Sequence, residues 1–109
     1  MKRILLSLML FAVSNAASAV TVSAIGTVTR LVNHEAHDGP IVALSDMSAS
    51  AGLCSRNDVY MLPVTHKYLD QNYAMLLSAV MSGKEVKITL VTGDCPQGVP
   101  RINHIEING

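Results

Sequence analysis

The sequence predicts a mainly β domain with one helix, closed as a small five-stranded barrel in the order β-β-β-α-β-β. Three observations lead there. Short runs rich in Val, Ile and Thr are separated by turn signals. One stretch carries a strong helical period, and it falls between the third and fourth of those runs. The two cysteines, Cys54 and Cys95, stand just before the third run and between the fourth and fifth.

The elements follow in chain order. Met1-Lys2-Arg3 is a positive start, Ile4 to Val13 is apolar, and Ala17-Ser18-Ala19 has the small-x-small form of a cleavage site. Residues 1–19 therefore read as a secretory signal peptide. A membrane anchor would need roughly 17 to 25 apolar residues, and Ser14-Asn15 break the run well before that. Residues 20–109 are left as a single domain, too short for two cores. The expected product is exported, periplasmic or secreted, with no membrane span after cleavage.

Val20 to Val32 is the first strand, and Gly26 within it suggests a bulge or bend. A polar turn from Asn33 ends in Asp38-Gly39-Pro40. Ile41 to Met47 is the second strand, Ser48 to Asp58 a small-residue loop, and Val59 to Val64 a short third strand ended near Pro63. Leu69, Tyr73, Leu76, Leu77 and Val80 fall on one stripe, which predicts a helix over about residues 66 to 81. Thr65 is placed as its N-cap and Gly83 as its C-terminal cap. Val86, Ile88 and Leu90 alternate inward along a fourth strand, and Ile105 and Ile107 along a fifth.

This order is that of the Greek-key barrel called the OB-fold, whose third and fifth strands run parallel at the closing seam. A ferredoxin-like or other open α+β sheet is the competing architecture. In the barrel, the starts of strands three and five lie at one end, so Cys54 and Cys95 would meet at one rim. An exported chain with two cysteines is expected to join them as a disulfide. A metal use of the pair would need further ligands, and a nucleophile would need an activating base.

Charge narrows the partners. The chain holds 8 basic and 8 acidic residues, and loss of Lys2 and Arg3 with the leader makes the remainder slightly acidic. That argues against nucleic acid, whose binders normally show a basic face. Tyr60, Tyr68 and Tyr73 are the aromatic residues beyond the leader, so base-stacking platforms are scarce. On the helix, Tyr68, Met75 and Ala79 form a second apolar stripe, about 110° from the first. They are the candidates for packing against a neighbouring subunit in a homo-oligomer, against the plainer reading of burial within the chain's own domain.

Candidate chemistry is sparse. His34, Glu35, His37 and Asp38 cluster in "NHEAHDG", but the two histidines are i, i+3 in a polar loop and lack the spacing of a zinc-protease helix. Loop residues are the preferred reading, and a small metal-binding protein built on His34 and His37 the least favoured. His66 and His104 show no visible partner. The serines of "SDMSASAGLCS" lack a G-x-S-x-G turn, and no glycine loop is followed by Lys-Ser/Thr. No catalysis, metal or cofactor is expected.

The run "CSRNDVYMLPVTHKYLDQNYAMLLSAVMSGKEVKITL" resembles the middle of the binding subunits of bacterial five-plus-one toxins of the subtilase-cytotoxin and typhoid-toxin kind. The resemblance rests on Cys54, Val59-Tyr60, Tyr73-Ala74, Gly83 and Val86-Lys87-Ile88. It implies a secreted OB-fold protein that assembles as a pentamer, binds sialylated glycans and has no catalysis of its own. The first strand reads Ile25-Gly26-Thr27 and the strand after the helix Thr89-Leu90, so that family's sugar-holding residues do not carry over. Cys95 has no clear counterpart there.

The expected function is an exported, non-catalytic binding module for a glycan or a protein partner, with Tyr60 as the strand aromatic available to a ligand. A periplasmic structural or accessory protein without a glycan ligand is the alternative.

Overall fold

The computed structural model describes residues 20–108, and the expected signal peptide lies outside the described residues. Five strands close into a barrel: β1 (Thr21–Val32), β2 (Ile41–Leu44), β3 (Tyr60–Met61), β4 (Glu85–Val91) and β5 (Arg101–Ile107), in the spatial order β1-β2-β3-β5-β4. One helix, α1 (Leu69–Ser82), joins β3 to β4. All neighbours pair antiparallel except β3 and β5, which are parallel through the single pair Met61↔Arg101. The order and the parallel seam are those expected of an OB-like barrel, and the open α+β sheet is set aside.

Burial follows the alternation. Ala24, Val42, Leu44, Tyr60, Leu62, Val86, Ile88, Leu90 and Ile102 fill the barrel, closed below by Leu76 and Ala79 of α1. A smaller cluster of Ile41, Val59, Met61 and Val99 lies on the other face of β2 and β3. β2 is thus covered on both faces, which is why it reads as the unbroken run Ile41-Val42-Ala43-Leu44; it ends at Leu44, short of the expected Met47.

Two irregularities sit where the alternation fails. The first strand is irregular at Thr29, where the register with β2 shifts between Val28 and Arg30, and not at Gly26, which pairs regularly with Val86. Gly26 instead makes room for a neighbour. A Cβ there would lie 2.7 Å from Ser45 Oγ, the acceptor for the Thr27 N–H at 3.0 Å. In β5 the register shifts so that Thr89 faces His104 while Leu90 faces Ile102. Asn103 is the extra residue, and the bulge lets Ile102 and Ile105 both point inward although they are three apart.

The helix differs from expectation at its start and in its rotation. It begins at Leu69, with Tyr68 in the cap position and no side-chain cap, so Thr65 does not cap it. The approach is a tight turn in which His66 N–H donates to Pro63 O at 2.9 Å and Leu69 N–H to His66 O at 3.2 Å. His66 supplies the polar group that Thr65 was expected to supply, since its Nδ1 accepts the Tyr68 N–H at 2.9 Å. Thr65→Ala should therefore leave the denaturant midpoint nearly unchanged, while His66→Ala should cost about 1 to 2 kcal/mol, the usual loss for a capping group. Gly83 ends the helix as expected, at φ 68° with its N–H on Ala79 O.

The buried face of α1 is Asn72, Leu76 and Ala79, flanked by Leu69 and Met75. That face lies about 80° from the stripe marked by hydrophobic spacing. Leu77 and Val80, expected inward, are 45% and 44% exposed, and Met81 is 86% exposed. Ala79, expected at a subunit interface, is buried in the chain's own core, and Met75 packs against that core. Tyr68, at 52% exposure, is the one member of the expected outer stripe that stands well out on the surface.

Candidate functional site

The disulfide organises one rim. Cys54 and Cys95 are bonded, with Cα atoms 5.8 Å apart and 41 residues between them in sequence. Beside them Arg56 N–H donates to Gly98 O at 2.9 Å. Arg56 also forms a two-pronged pair with Asp58, at 3.0 and 2.8 Å, and this partner holds the Asp58 carboxyl below its ordinary range. Gln97 bridges to the loop after β1: its side-chain amide donates to Ala36 O at 2.8 Å and its Oε1 accepts the Asp38 N–H at 2.8 Å. It does so at φ 52°, a left-handed backbone that side chains other than glycine adopt at a cost.

Tyr60 is not a surface aromatic. It is fully buried, and its hydroxyl lies 2.7 Å from Ser50 Oγ, which in turn meets Asn57 Oδ1 and Met47 O. Asn57 donates to the same Met47 carbonyl at 2.9 Å. A closed polar network thus ties the 3-10 turn at Ser48–Ser50 to β3, and no ligand reaches the ring. Burial, the largest cause, pushes the Tyr60 phenol above its ordinary value, against the Ser50 hydrogen bond, which lowers it. The folded state therefore keeps a proton that the unfolded chain releases near pH 10, so stability should fall as pH rises past about 10. Tyr60→Phe should remove that alkaline dependence and cost about 1 to 2 kcal/mol in urea unfolding, because Ser50 Oγ loses a buried donor.

His34 and His37 do come together, with ring centroids 5.5 Å apart and nearly perpendicular. His34 Nδ1 already accepts the Ala36 N–H at 3.0 Å, and His37 Nε2 faces the Arg56 guanidinium at 3.4 Å. A cation beside the ring is a poor setting for a second cation. Among the described residues, no group of three or more His, Cys, Asp or Glu side chains is placed to hold a metal ion.

A concave surface with converging polar groups lies between the approach to α1 and the bulged edge of β5. It is a cleft of about 410 Å³ whose walls include His66, Lys67, Tyr68, Arg101, Asn103 and His104. The bulge builds it. Asn103 turns its carbonyl out of the ladder, and His66, whose Nδ1 is taken, donates from Nε2 to that oxygen at 2.6 Å. Asn72, buried on the inner face of α1, reaches His66 Nδ1 at 3.5 Å. One imidazole therefore pins the helix start to β5.

Other walls are also held from behind. Thr89 Oγ1, itself buried, lies 3.0 Å from His104 Nε2 and 3.5 Å from Ser23 Oγ, a chain across three adjacent strands that fixes the imidazole. Arg101 reaches Asp94 at 3.4 Å and remains about one-third exposed. Lys67 Nζ sits 5.4 Å from the centre of the Tyr68 ring, a cation–π distance. Gln71 completes the floor.

Sequence spacing did not show that Asn103 holds His66 and Thr89 holds His104, because each of these partners belongs to a different element of the fold. The usable signal was Ile102 and Ile105 three apart, which breaks strand alternation and marks the bulge.

A second surface is apolar. Val28 and Leu31 of β1 and Tyr73, Leu77 and Val80 of α1 line a groove of about 200 Å³, with Arg30 at its edge. Tyr73 is oriented there by Asn33, whose Nδ2 donates to its hydroxyl at 2.8 Å. No helix among the described residues is long and apolar enough to cross a membrane. Comparison of the chain with protein-family profiles, with curated proteins and with solved structures finds no match.

Proposed function

We propose that this protein is an exported binding module, without chemistry of its own, that holds a glycan or a protein ligand in the cleft between α1 and β5. The observation that carries the reading is the cleft itself: an exposed Tyr68 ring stands beside polar side chains already held in place, Arg101 by Asp94 and His104 by Thr89 from outside the cleft, and His66 by the backbone of Tyr68 and Asn103. Sites of this kind bind through pre-set donors and a flat apolar face, with little left to order on contact. Export is supported by the leader-like residues 1–19 and by the disulfide. The likeness of residues 54–90 to toxin binding subunits points the same way, with the sugar site moved to a different part of the barrel.

Retention on a glycan array or on host-cell surfaces tests it. Tyr68→Ala should reduce retention about tenfold or more, with an unchanged melting temperature because the ring is half exposed. Binding to no glycan, cell surface or protein would overturn the reading.

The exposed Leu77, Val80 and Met81 beside the apolar groove favour a second use. In that alternative the barrel is a periplasmic accessory protein that covers this face with a fixed partner or with further copies of itself, and no glycan is bound. Co-purification of one constant bacterial partner, with no retention on glycans, would select it.

A further inference from the structure

We infer that His66 is an acid-operated latch on the α1/β5 cleft: neutral, its ring holds the start of α1 to β5, and protonated, it lets the two part. The latch regulates the proposed binding site, so its consequence for a ligand rests on that reading, while the opening itself does not.

Hydrogen-bond chemistry is the first ground. His66 Nε2 meets Asn103 O at 2.6 Å, and a carbonyl only accepts, so this nitrogen carries the hydrogen. Nδ1 meets the Tyr68 N–H at 2.9 Å, and a backbone N–H only donates, so this nitrogen is bare. Asn72 Nδ2 stands 3.5 Å from the same Nδ1. The arrangement admits the neutral ring alone, because an imidazolium carries hydrogen on both nitrogens and keeps no acceptor. Histidine is the side chain that gains this charge between about pH 5 and 8.

The surroundings are the second ground, since nothing lining the cleft offsets a new positive charge. Lys67 and Tyr68 face it from the approach to α1 and Arg101 and His104 from β5, while α1 contributes the neutral Gln71 and Asn72. No Asp or Glu of the described residues lines it. Asp94 meets Arg101 at 3.4 Å, and Asp70, in the first turn of α1, is not one of the walls. The two His66 bonds therefore add stability above the histidine range and lose it as pH falls through that range, since the open form can take up a proton that the latched form has no place for.

Position makes His66 the latch among the histidines. Its bonds join the approach to α1 with β5, while Leu76 and Ala79 stay in the core, so acid loosens the approach and first turn and leaves the barrel closed. His34 Nδ1 accepts the N–H of Ala36 within its own loop. His37 faces Arg56 away from the cleft walls. His104 meets the Thr89 hydroxyl, which can accept as readily as donate and so tolerates a charged ring.

The test follows the isotope-labelled protein, purified from cells expressing the full chain and without ligand, by ring-nitrogen and amide resonances between about pH 7.5 and 5. At the upper end His66 should show hydrogen on Nε2 alone. At the lower end the ring should be charged, and amide exchange at residues 68–72, relative to the unstructured rate at each pH, should rise about tenfold or more while β1 and β4 stay protected. His66→Gln should abolish this acid step, whereas His34→Gln, His37→Gln and His104→Gln should each keep it. Should His66→Gln fail to fold, the parent and the other three variants still decide the matter. A Tyr68 amide that stays protected while the His66 ring charges, a ring that stays neutral to the lower end, or an acid step that survives in His66→Gln would overturn the latch and leave the binding-module reading intact.

Discussion

Replacing Cys54 and Cys95 together by alanine should lower the unfolding free energy by about 4 kcal/mol, as expected for the 41-residue separation in the chain-entropy model. In a domain of this size that corresponds to a fall in melting temperature of roughly 15 to 30 °C. The location makes the loss more than entropic. β3 and β5 share a single pair, Met61↔Arg101, supported by Met61 N–H on Pro100 O at 2.9 Å. The seam is the weakest join in the ring, and the disulfide ties the chain just before β3 to the chain just before β5. Without it, amide exchange should rise first at residues 54–62 and 94–101, ahead of β1 and β4, whose long antiparallel register is independent of the clasp. A melting temperature within about 5 °C of the parent would show that the seam holds without the covalent link.

Gly39→Ala should destabilise by about 3 kcal/mol or more, in the range of the severe overpacking substitutions. A Cβ at this position would lie 1.9 Å from Leu62 O and 2.9 Å from both Leu62 C and Pro63 Cα. All three are backbone atoms, and they cannot withdraw. Leu62 N–H donates to Pro40 O and Val64 N–H to Asp38 O, each at 2.9 Å, so the two chains are bonded on both sides of the contact. Any shift that admits the methyl group breaks at least one of those bonds and tilts the strap that leads to His66 and the cleft. Gly52→Ala is the control. Its φ of 79° carries the left-handed penalty, but nothing lies within 4 Å of the added carbon, so about 1 to 2 kcal/mol is expected. Equal chemical-denaturation midpoints for the two variants would refute the close-approach argument.

The Asp38-Gly39-Pro40 turn illustrates how far reading the chain can go. Composition placed a turn there correctly, but the reason for glycine was the proximity of Leu62, a residue far along the chain. The same holds at Gly26, where a bulge was expected and Ser45 was found to be the cause. It holds again at Tyr60, whose ring looked available on a strand and is buried under a Ser50 and Asn57 network. In each case the residue type was informative and its partner was not visible.

By itself the chain determined five apolar runs with strand composition, one helix between the third and fourth, the glycine that ends that helix, and two cysteines whose positions suit one rim. These are properties of local periodicity and turn chemistry, which neighbouring residues fix almost alone. Only the tertiary structure decided which face of α1 is buried, since Leu77 and Val80 share the hydrophobic spacing with Leu76 and differ only in where β1 and the barrel mouth meet the helix. It also decided that His66, Arg101 and His104 line one cleft. His66 meets these β5 residues from 35 or more positions earlier in the chain, and the energy of such a meeting depends on chain closure that no local pattern encodes.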